Sequence, residues 1–440
     1  MLLPYRLGLT LLLLVAAAAA LHLGRNRERD GGFDRDEAEW LTISVAHWQQ
    51  LVGEGDPLHR LSGPRAGDPE GNPWKIGIHQ STFGAMNPSA AKLVLGAVLS
   101  GAGHTDWDPR LYPRFSRDPV VRNQARAVVR PGLELGRRVV LVVSAAIAVL
   151  LFWIGRHLAG AVGGLVAFGL WLASPLVRDV TNYVRTDLFA MFFALAALLV
   201  VLVLAPAVGG RRGVAASFGG ALLLGICAGL AVGSKLNGAL VAGCVALWIP
   251  LLWLAGRRGA RLPFSAGPGP ALLLAGAVCA GLFVFFNPLL WQSPGQAVAE
   301  MGEVLERWEA DTALHQKNVA ARLTVARTLA ERVDLALDGT LGRDEPLHAL
   351  TGLAWGWVLL AGGLAALLLR LRRERDAVLA TLVFLAVTCA GTVAWLPLDW
   401  ERYFLPFLPC MILLEAALVG IPLQALLARH RRPSEQGERE

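Results

Sequence analysis

Long apolar runs, separated by short polar breaks, dominate the pattern of this chain. Because about 20 consecutive apolar residues in a helix span the hydrocarbon core of a bilayer, each run predicts a transmembrane helix. About ten such helices follow from this criterion. Their approximate ranges are 5–23, 137–156, 160–177, 188–206, 214–233, 237–255, 270–290, 349–369, 377–396 and 404–427. The pattern therefore predicts an all-α integral membrane protein, built as a polytopic helical bundle.

Two long polar stretches interrupt the pattern, at about 24–136 and 291–347. Within the first stretch, the segment 90–103 is apolar, but its roughly 14 residues are too few to cross a bilayer. We expect a short interfacial or re-entrant helix there. The N-terminal run resembles a signal peptide, but further spans follow it, so we expect an uncleaved first helix. The transmembrane domain then covers 1–427, and a basic tail covers 428–440.

Arginine clusters mark one side of the predicted bundle. With the N-terminus inside the cell, the short basic connections all fall on the cytoplasmic side, as the positive-inside rule requires. These connections are 156–157, 211–212, 257–261, 370–375 and 429–432. Both long polar stretches then lie on the opposite, extracytoplasmic side. The preference for Arg over Lys and the abundance of Ala, Gly and Leu suggest a bacterial chain, so we expect an inner-membrane protein whose other side faces the periplasm.

Composition agrees with this topology. Charged residues make up 17% of the chain and hydrophobic residues 55%, whereas soluble domains carry about 25% charge. The net charge of +7 reflects the placement of Arg at helix ends, so we expect no nucleic-acid partner. The five cysteines lie in or beside apolar runs and show no CxxC spacing, which argues against a disulfide framework.

Acidic residues shortly after the first helix are candidates for general-base chemistry. Asp36 and Glu37 stand at the start of the first polar stretch, and Asp34 precedes them. A carboxylate held there can accept the proton of an attacking hydroxyl. The same residues also suit an ordinary helix start, because acidic side chains are favourable in a first turn.

Three cations on the same predicted face are candidates for binding a phosphate. Lys235 stands at the tip of the fifth–sixth helix hairpin, where a compact ammonium suits a phosphate as a point charge. Arg402 can bind a phosphate through two nitrogens, or it can neutralise the adjacent Glu401. Lys92 can face a phosphate, or it can snorkel towards water.

Further polar residues on this face are candidates for the walls of a substrate pocket. Asp187 can cap the fourth helix in a pair with Arg185, or it can orient a substrate. Asn237, His79 and Tyr403 complete this set. His79 is a lone histidine in a polar stretch, and neither an HExxH pattern nor a Walker motif occurs.

Taken in order, these segments resemble the GT-C membrane glycosyltransferases, in the branch of the protein O-mannosyltransferases and the lipid A aminoarabinose transferase. The resemblance covers about residues 1–420. Two departures occur, because Asn stands where an HPP-type motif of the branch has His, and because the acidic motif lies in the non-standard context Phe33-Asp-Arg-Asp-Glu-Ala-Glu-Trp40. The matching elements are Asp36-Glu37, Asn87-Pro88 with Lys92, Arg185 with Asp187, Lys235 with Asn237, and Arg402-Tyr403 with Pro406.

The resemblance implies an inverting transferase that uses a polyprenyl-phosphate-linked sugar on the extracytoplasmic side. Asp36 would activate a hydroxyl of a protein, lipid or glycan acceptor. Lys235, Arg402 and Lys92 would stabilise the departing phosphate, and Arg185 and Asp187 would shape the donor pocket. No metal or other cofactor is expected, since cationic side chains can neutralise the phosphate. The expected partners are membrane lipids, the donor and an unidentified acceptor.

Two other functions remain open from the residues alone. A transporter or flippase for a lipid-linked or amphipathic substrate would use broken helices around a charge at the membrane midplane. A divergent, non-catalytic membrane protein would use its two large loops to bind a partner.

Overall fold

The structure is a computed structural model. It describes residues 2–23, 35–53, 89–104, 119–204, 213–256, 268–287, 290, 295, 328–337, 356–371, 374–395 and 404–431. Within these ranges all regular structure is helical, as the apolar pattern predicts. The helices are α1 Leu2–Leu23, α2 Arg35–Leu51, α3 Ala90–Gly101, α4 Pro119–Ala173, α5 Pro175–Thr181, α6 Asp187–Leu204, α7 Gly213–Ser234, α8 Ala239–Gly256, α9 Gly269–Phe285, α10 Leu329–Leu337, α11 Gly356–Arg370, α12 Arg375–Trp395 and α13 Phe407–Arg431.

Several of these helices have the length and composition of membrane spans. In the part of the chain that the structure describes, four apolar helical stretches are long enough to cross a bilayer. They are Arg6–Leu23, Arg130–Ala173, Arg375–Ala394 and Phe407–Leu427. The shorter apolar helices include much of α6 to α9 and of α11. The predicted all-helical fold is confirmed within the described residues and is consistent with a helical membrane protein, and the total of about ten spans stays a prediction.

Helix α4 contains a reversal of direction at the predicted break between the second and third spans. Ala159 and Gly160 have non-helical backbone angles, and Gly160 has a φ of 73°. Beyond this point the chain runs back along itself, because the indole N–H of Trp171 donates to the Ser144 carbonyl at 3.1 Å. Glycine suits the turn, since side chains clash at positive φ. Arg370 of α11 donates to the carbonyls of His157 and Leu158, which end the first limb.

Small residues allow close packing at this hairpin. A Cβ added to Gly163 would lie 2.4 Å from the Cβ of Ala159 and 3.2 Å from the carbonyl oxygen of Ala416 in α13. On α13, a Cβ at Gly420 would lie 2.5 Å from the carbonyl oxygen of Ala159. The backbones of the two α4 limbs and of helix α13 therefore lie in close contact, which small residues permit in membrane helices.

The structure corrects the predicted bounds around this hairpin. The third span was expected to reach residue 177, but it ends at Ala173, because Ser174 caps a new helix by accepting a hydrogen bond from the amide of Val177. Pro175 occupies the first position of that helix, where its missing N–H costs nothing. At its other end, α4 begins at Pro119 rather than near 137, through a polar segment that an apolar pattern cannot reveal.

Two of the described helices in the first polar stretch, α2 and α3, pack together. Helix α3, Ala90–Gly101, confirms the predicted short helix, and its 12 residues extend about 18 Å. It lies against α2 so closely that a Cβ on Gly96 would be 2.0 Å from the carbonyl oxygen of Ser44. Helix α2 occupies Arg35–Leu51, where the acidic residues suited a helix start.

The two ends of the bundle differ in chemistry. The second limb of α4 leads from Gly160 towards α5 and then to Asp187, the first residue of α6. Asp187 pairs with Lys235, which follows α7. The end of the bundle that contains Asp187 therefore lies opposite the end where Arg370 donates to the Leu158 carbonyl at the α4 reversal. The predicted placement of the basic connections and the candidate site on opposite sides of a membrane stays a prediction.

Gly163→Ala should lower the thermal stability of the purified full-length protein in detergent. The added methyl overpacks the contact between the α4 limbs and α13, at a cost of about 1–3 kcal/mol. Gly169→Ala, in the same limb, is the matched control because no heavy atom lies within 4 Å of its added Cβ. There we expect no loss, or a gain of up to about 1 kcal/mol from helix propensity. Equal midpoints for both variants would contradict this packing.

Candidate functional site

A buried ion pair joins three elements at the Asp187 end of the bundle. Arg137 of α4 donates from Nε to Oε1 of Glu37 at 2.9 Å and from Nη2 to Oε2 at 2.7 Å. The backbone amide of Val184 donates to the same Oε1 at 2.7 Å. Glu37 is 0% exposed and Arg137 is 2% exposed. The pair therefore fixes the first turn of α2 against both α4 and the segment that leads into α6.

The segment before α6 is further ordered by Tyr183. The guanidinium carbon of Arg137 lies 5.8 Å from the centre of the Tyr183 ring, and that of Arg185 lies 5.0 Å from it. Both distances suit cation–π attraction. The predicted pocket residue Arg185 thus lies beside the same ring as Arg137, two residues ahead of Asp187.

These contacts bear on the choice of base among the acidic residues of α2. The Glu37 carboxylate receives a bidentate guanidinium and a backbone amide, all of which stabilise its charged form. A carboxylate stabilised in this way is a weak proton acceptor, so we expect Glu37 to position its neighbours. Asp36 lies beside it in the first turn of α2. The Asp36 side chain lies outside the described residues, and its role as the base stays a prediction.

A second ion pair lies where α6 and α7 meet. The Lys235 ammonium contacts Oδ1 of Asp187. Their side chains are 20% and 11% exposed, so both are partly accessible. Asn237 follows in a short 3₁₀ turn, Leu236–Gly238. The structure therefore brings together three residues that the sequence placed on one face, namely Asp187, Lys235 and Asn237.

An apolar groove begins at this pair. It leaves about 510 Å³ unfilled, including space open to solvent. Along α6 it extends from Asp187 to Ala194, seven residues or about 10 Å of helix. Its walls come from α6, α8, α12 and the start of α13. The lining residues are Asp187, Ala190, Met191, Ala194, Asn237, Gly238, Leu240, Val241, Phe384, Thr388, Leu405, Pro406 and Pro409.

Lys92 lies in a different environment, between α2 and α3. It is 0% exposed, and its Nζ lies 5.2 Å from the centre of a Trp40 ring. Burial lowers the pKa of Lys92 to about 7. Burial and the neighbouring Lys92 also hold the pKa of His47 well below its usual value. A snorkelling ammonium would reach the surface, which Lys92 does not. Its predicted phosphate contact stays untested, and an amine of this pKa is partly neutral near pH 7.

The remaining predicted site residues are not described by the structure. Asp34, His79, Arg402 and Tyr403 lie outside the described residues. Within those ranges, no group of three or more His, Cys, Asp and Glu side chains is arranged to hold a metal ion. The expectation that no metal or cofactor is required stays a prediction.

Sequence reasoning missed Arg137, which holds Glu37. One signal was available, because Arg137 and Arg138 begin a span on the predicted extracytoplasmic side. Positive residues concentrate on the cytoplasmic side. An arginine at the extracytoplasmic end of a span is therefore expected to have a specific partner. The involvement of Tyr183 and of the Val184 amide had no comparable sequence signal.

Comparison with known proteins adds evidence on the fold. No protein-family model and no curated protein matches the chain. A structure of the Archaeoglobus fulgidus oligosaccharyltransferase with Zn and sulfate matches with a TM-score of 0.53 and 15% identity, over 95% of this chain and 50% of that one. The structure of the same organism's AglB with an inhibitory peptide and a dolichol-phosphate matches with a TM-score of 0.53 and 14% identity, over 98% and 52%.

The chain thus spans about half the length of the oligosaccharyltransferase structures that it matches. The likeness shows a GT-C-type fold, as the sequence resemblance implied. The narrower branch of mannosyl- and aminoarabinosyltransferases stays a prediction.

Arg137→Met should destabilise the protein strongly. The substitution leaves the buried Glu37 carboxylate without its guanidinium, and breaking a buried pair costs about 3–5 kcal/mol. Arg130→Met is the matched control in the same helix, because Arg130 and Glu134 form a pair whose side chains are 64% and 48% exposed. That variant should lose about 0–1 kcal/mol. Thermal unfolding of the full-length protein in detergent measures both, and similar losses in the two variants would refute the anchoring role.

Proposed function

We propose that this protein is an inverting glycosyltransferase that moves a sugar from a polyprenyl-phosphate carrier to an acceptor hydroxyl. The observation that supports it is the apolar groove with the Asp187–Lys235 pair at its mouth. A polyprenyl-phosphate sugar likewise has an apolar part and a charged part, because a long hydrocarbon chain is joined to a charged head group. Hydrocarbon is favourable in the groove and the phosphate is favourable beside a cation.

The phosphate of the donor would bind at Lys235. Its ammonium is partly accessible and already faces an anion, the Asp187 carboxylate. The phosphodiester of the donor carries one negative charge, as a carboxylate does, and presents more acceptor oxygens. The polyprenyl monophosphate that leaves carries more charge, so both can share this ammonium with Asp187. Arg402 would add a second cation, since it precedes the groove residues Leu405 and Pro406 by only a few positions.

Catalysis would take place beside the mouth of the groove. Asp36 would take the proton of the acceptor hydroxyl, whose oxygen would attack the anomeric carbon of the sugar. The bond from that carbon to the phosphate oxygen would break, and the polyprenyl phosphate would leave with the charge developing next to Lys235. Glu37 and Arg137 would hold α2 and the segment before α6, and with them Asp36, Arg185 and Asp187, in one arrangement.

The fold neighbours support this choice of substrate. One of them is an oligosaccharyltransferase in complex with a dolichol-phosphate, which is itself a polyprenyl phosphate. Another is tethered to an acceptor peptide. For the present chain we propose a hexosyl or pentosyl donor and a protein, lipid or glycan acceptor, on the periplasmic face of a bacterial inner membrane.

Ala194→Phe should weaken binding of the lipid chain. The added ring fills the groove about two turns below Asp187, where we place the hydrocarbon. We expect at least a tenfold loss of affinity for a long-chain polyprenyl phosphate, measured on the full-length protein in detergent, and little change for a short prenyl phosphate. Ala246→Phe, at an exposed position of α8, is the control and should bind both as the wild type does. Equal affinity of all three proteins for the long chain would exclude the groove as its site.

Asp36→Asn should abolish sugar transfer while leaving donor binding intact. The amide cannot accept the hydroxyl proton, so we expect a loss of at least 100-fold in kcat. Transfer is followed in membranes with a radiolabelled polyprenyl-phosphate sugar, and affinity for the polyprenyl phosphate is measured separately. Undiminished transfer by this variant would remove Asp36 as the base. Absence of transfer by the wild type across sugar donors, with tight lipid binding, would favour a transporter.

A further inference from the structure

Helix α1 packs along the first limb of α4 as far as the end of the bundle that contains the α4 reversal. Leu13 of α1 belongs to one small buried apolar cluster with Phe152 of α4. Next to this cluster, the indole N–H of Trp153 donates to the Thr10 hydroxyl at 3.2 Å. The Thr10 hydroxyl in turn donates to the carbonyl of Arg6, one helical turn earlier, at 2.8 Å. The contact between the two helices therefore ends at Arg6.

A second arginine approaches the same indole from α4. The guanidinium carbon of Arg156 lies 5.3 Å from the centre of the Trp153 ring, a distance that suits cation–π attraction. Arg6 and Arg156 are both exposed. Both are also close enough to His157 to interact with it electrostatically. The hydrogen bond from Trp153 to Thr10 thus brings one arginine of each helix to the same place.

The charge of these two arginines is not neutralised within the part of the chain that the structure describes. Neither guanidinium forms an ion pair with a described carboxylate. The acidic residue that interacts with His157 is Glu374, and its carboxylate is bound by Arg370. The contact between α1 and α4 therefore ends in a positive surface that is open to an anionic ligand.

Exposed apolar side chains continue from this positive surface along α1. Leu7, Leu11 and Val15 are each more than half exposed, and their spacing of four residues places them along one face of the helix. The α1 stretch and the α4 stretch are both long and apolar enough to cross a bilayer. In a bilayer, their shared end lies at the level of the lipid head groups. A phospholipid has the same arrangement, with a charged phosphate above its acyl chains.

We propose that Arg6 and Arg156 form a binding site for the head group of an anionic phospholipid. The two guanidinium groups donate to the phosphate oxygens, and the Trp153 ring holds Arg156 in position. A zwitterionic lipid carries an ammonium group that these arginines repel, so the site prefers a head group of net negative charge. Basic clusters at the ends of membrane helices bind lipid head groups in this way. The site lies at the opposite end of the bundle from Asp187 and does not depend on sugar transfer.

The test measures lipid binding by the purified, delipidated full-length protein in detergent. Native mass spectrometry detects retained phosphatidylglycerol, and the thermal unfolding midpoint is followed as the lipid is added. We expect a retained lipid and a higher midpoint. Phosphatidylcholine with the same acyl chains should give neither, and neither should inorganic phosphate. An equal response to phosphatidylcholine would overturn the preference for an anionic head group, and an equal response to inorganic phosphate would overturn a lipid as the ligand.

Variants that remove one charge locate the site. Arg6→Gln and Arg156→Gln should each weaken phosphatidylglycerol binding about fivefold, and the double variant about 25-fold, from the usual contribution of a basic residue near a lipid surface. Arg375→Gln removes an exposed charge from the same end of the bundle and should bind as the wild type does. Equal losses in Arg375→Gln and Arg156→Gln would show a general attraction to the positive end and would refute a defined site. Unchanged affinity of the double variant would refute it as well.

A crosslinking measurement on the wild type does not require any variant to fold. Phosphatidylglycerol with a diazirine on one acyl chain is irradiated with the full-length protein, and the linked peptides are mapped by mass spectrometry. Crosslinks should concentrate in residues 7–15 of α1, and excess unlabelled phosphatidylglycerol, but not phosphatidylcholine, should suppress them. Leu273 of α9 is 75% exposed and serves as the reference for ordinary lipid-facing surface. Equal crosslinking at α1 and α9 would overturn the proposal.

Discussion

The arrangement of the candidate site depends on the cost of burying charge. Glu37 and Arg137 are both inaccessible to water, and each would destabilise the fold if it were buried alone. They are 100 residues apart in sequence, and the Val184 amide that shares the Glu37 carboxylate is 147 residues away from it. A single carboxylate therefore contacts α2's partner helix α4 and the segment that leads into α6 at once. Small displacement of any of these elements would leave a buried polar group unpaired.

The groove and the ion pair at its mouth divide the proposed recognition between two kinds of interaction. Asp187 is at the first position of α6, where the helix dipole favours a negative charge. Lys235 balances that charge from the neighbouring hairpin. Apolar side chains continue below them along α6, α8 and α12. A ligand with one charged end and one hydrocarbon end is oriented by this change from charged to apolar side chains, before any specific contact to a sugar is made.

The sequence revealed the elements better than their partners. Apolar runs predicted the spans and the short α3, and polar breaks predicted both the reversal near Gly160 and the hairpin tip at Lys235. Polar helical segments were less visible, as the early start of α4 at Pro119 illustrates. Side-chain pairing between distant elements leaves no periodic signal, so the Arg137 contact to Glu37 was missed. Lys92 looked like a surface cation, and only its tertiary environment reveals its burial.

The reversal in α4 bears on how the chain enters the membrane. Its two limbs are joined by only Ala159 and Gly160. One limb is therefore not expected to enter the membrane while the other remains in water. They would partition as a helical hairpin, a single hydrophobic unit. The carbonyl of Leu158 is bound by Arg370, which is synthesised 212 residues later. Until α11 is made, the end of the first limb lacks this hydrogen-bond donor, so the contact that closes the turn forms only after most of the chain is synthesised.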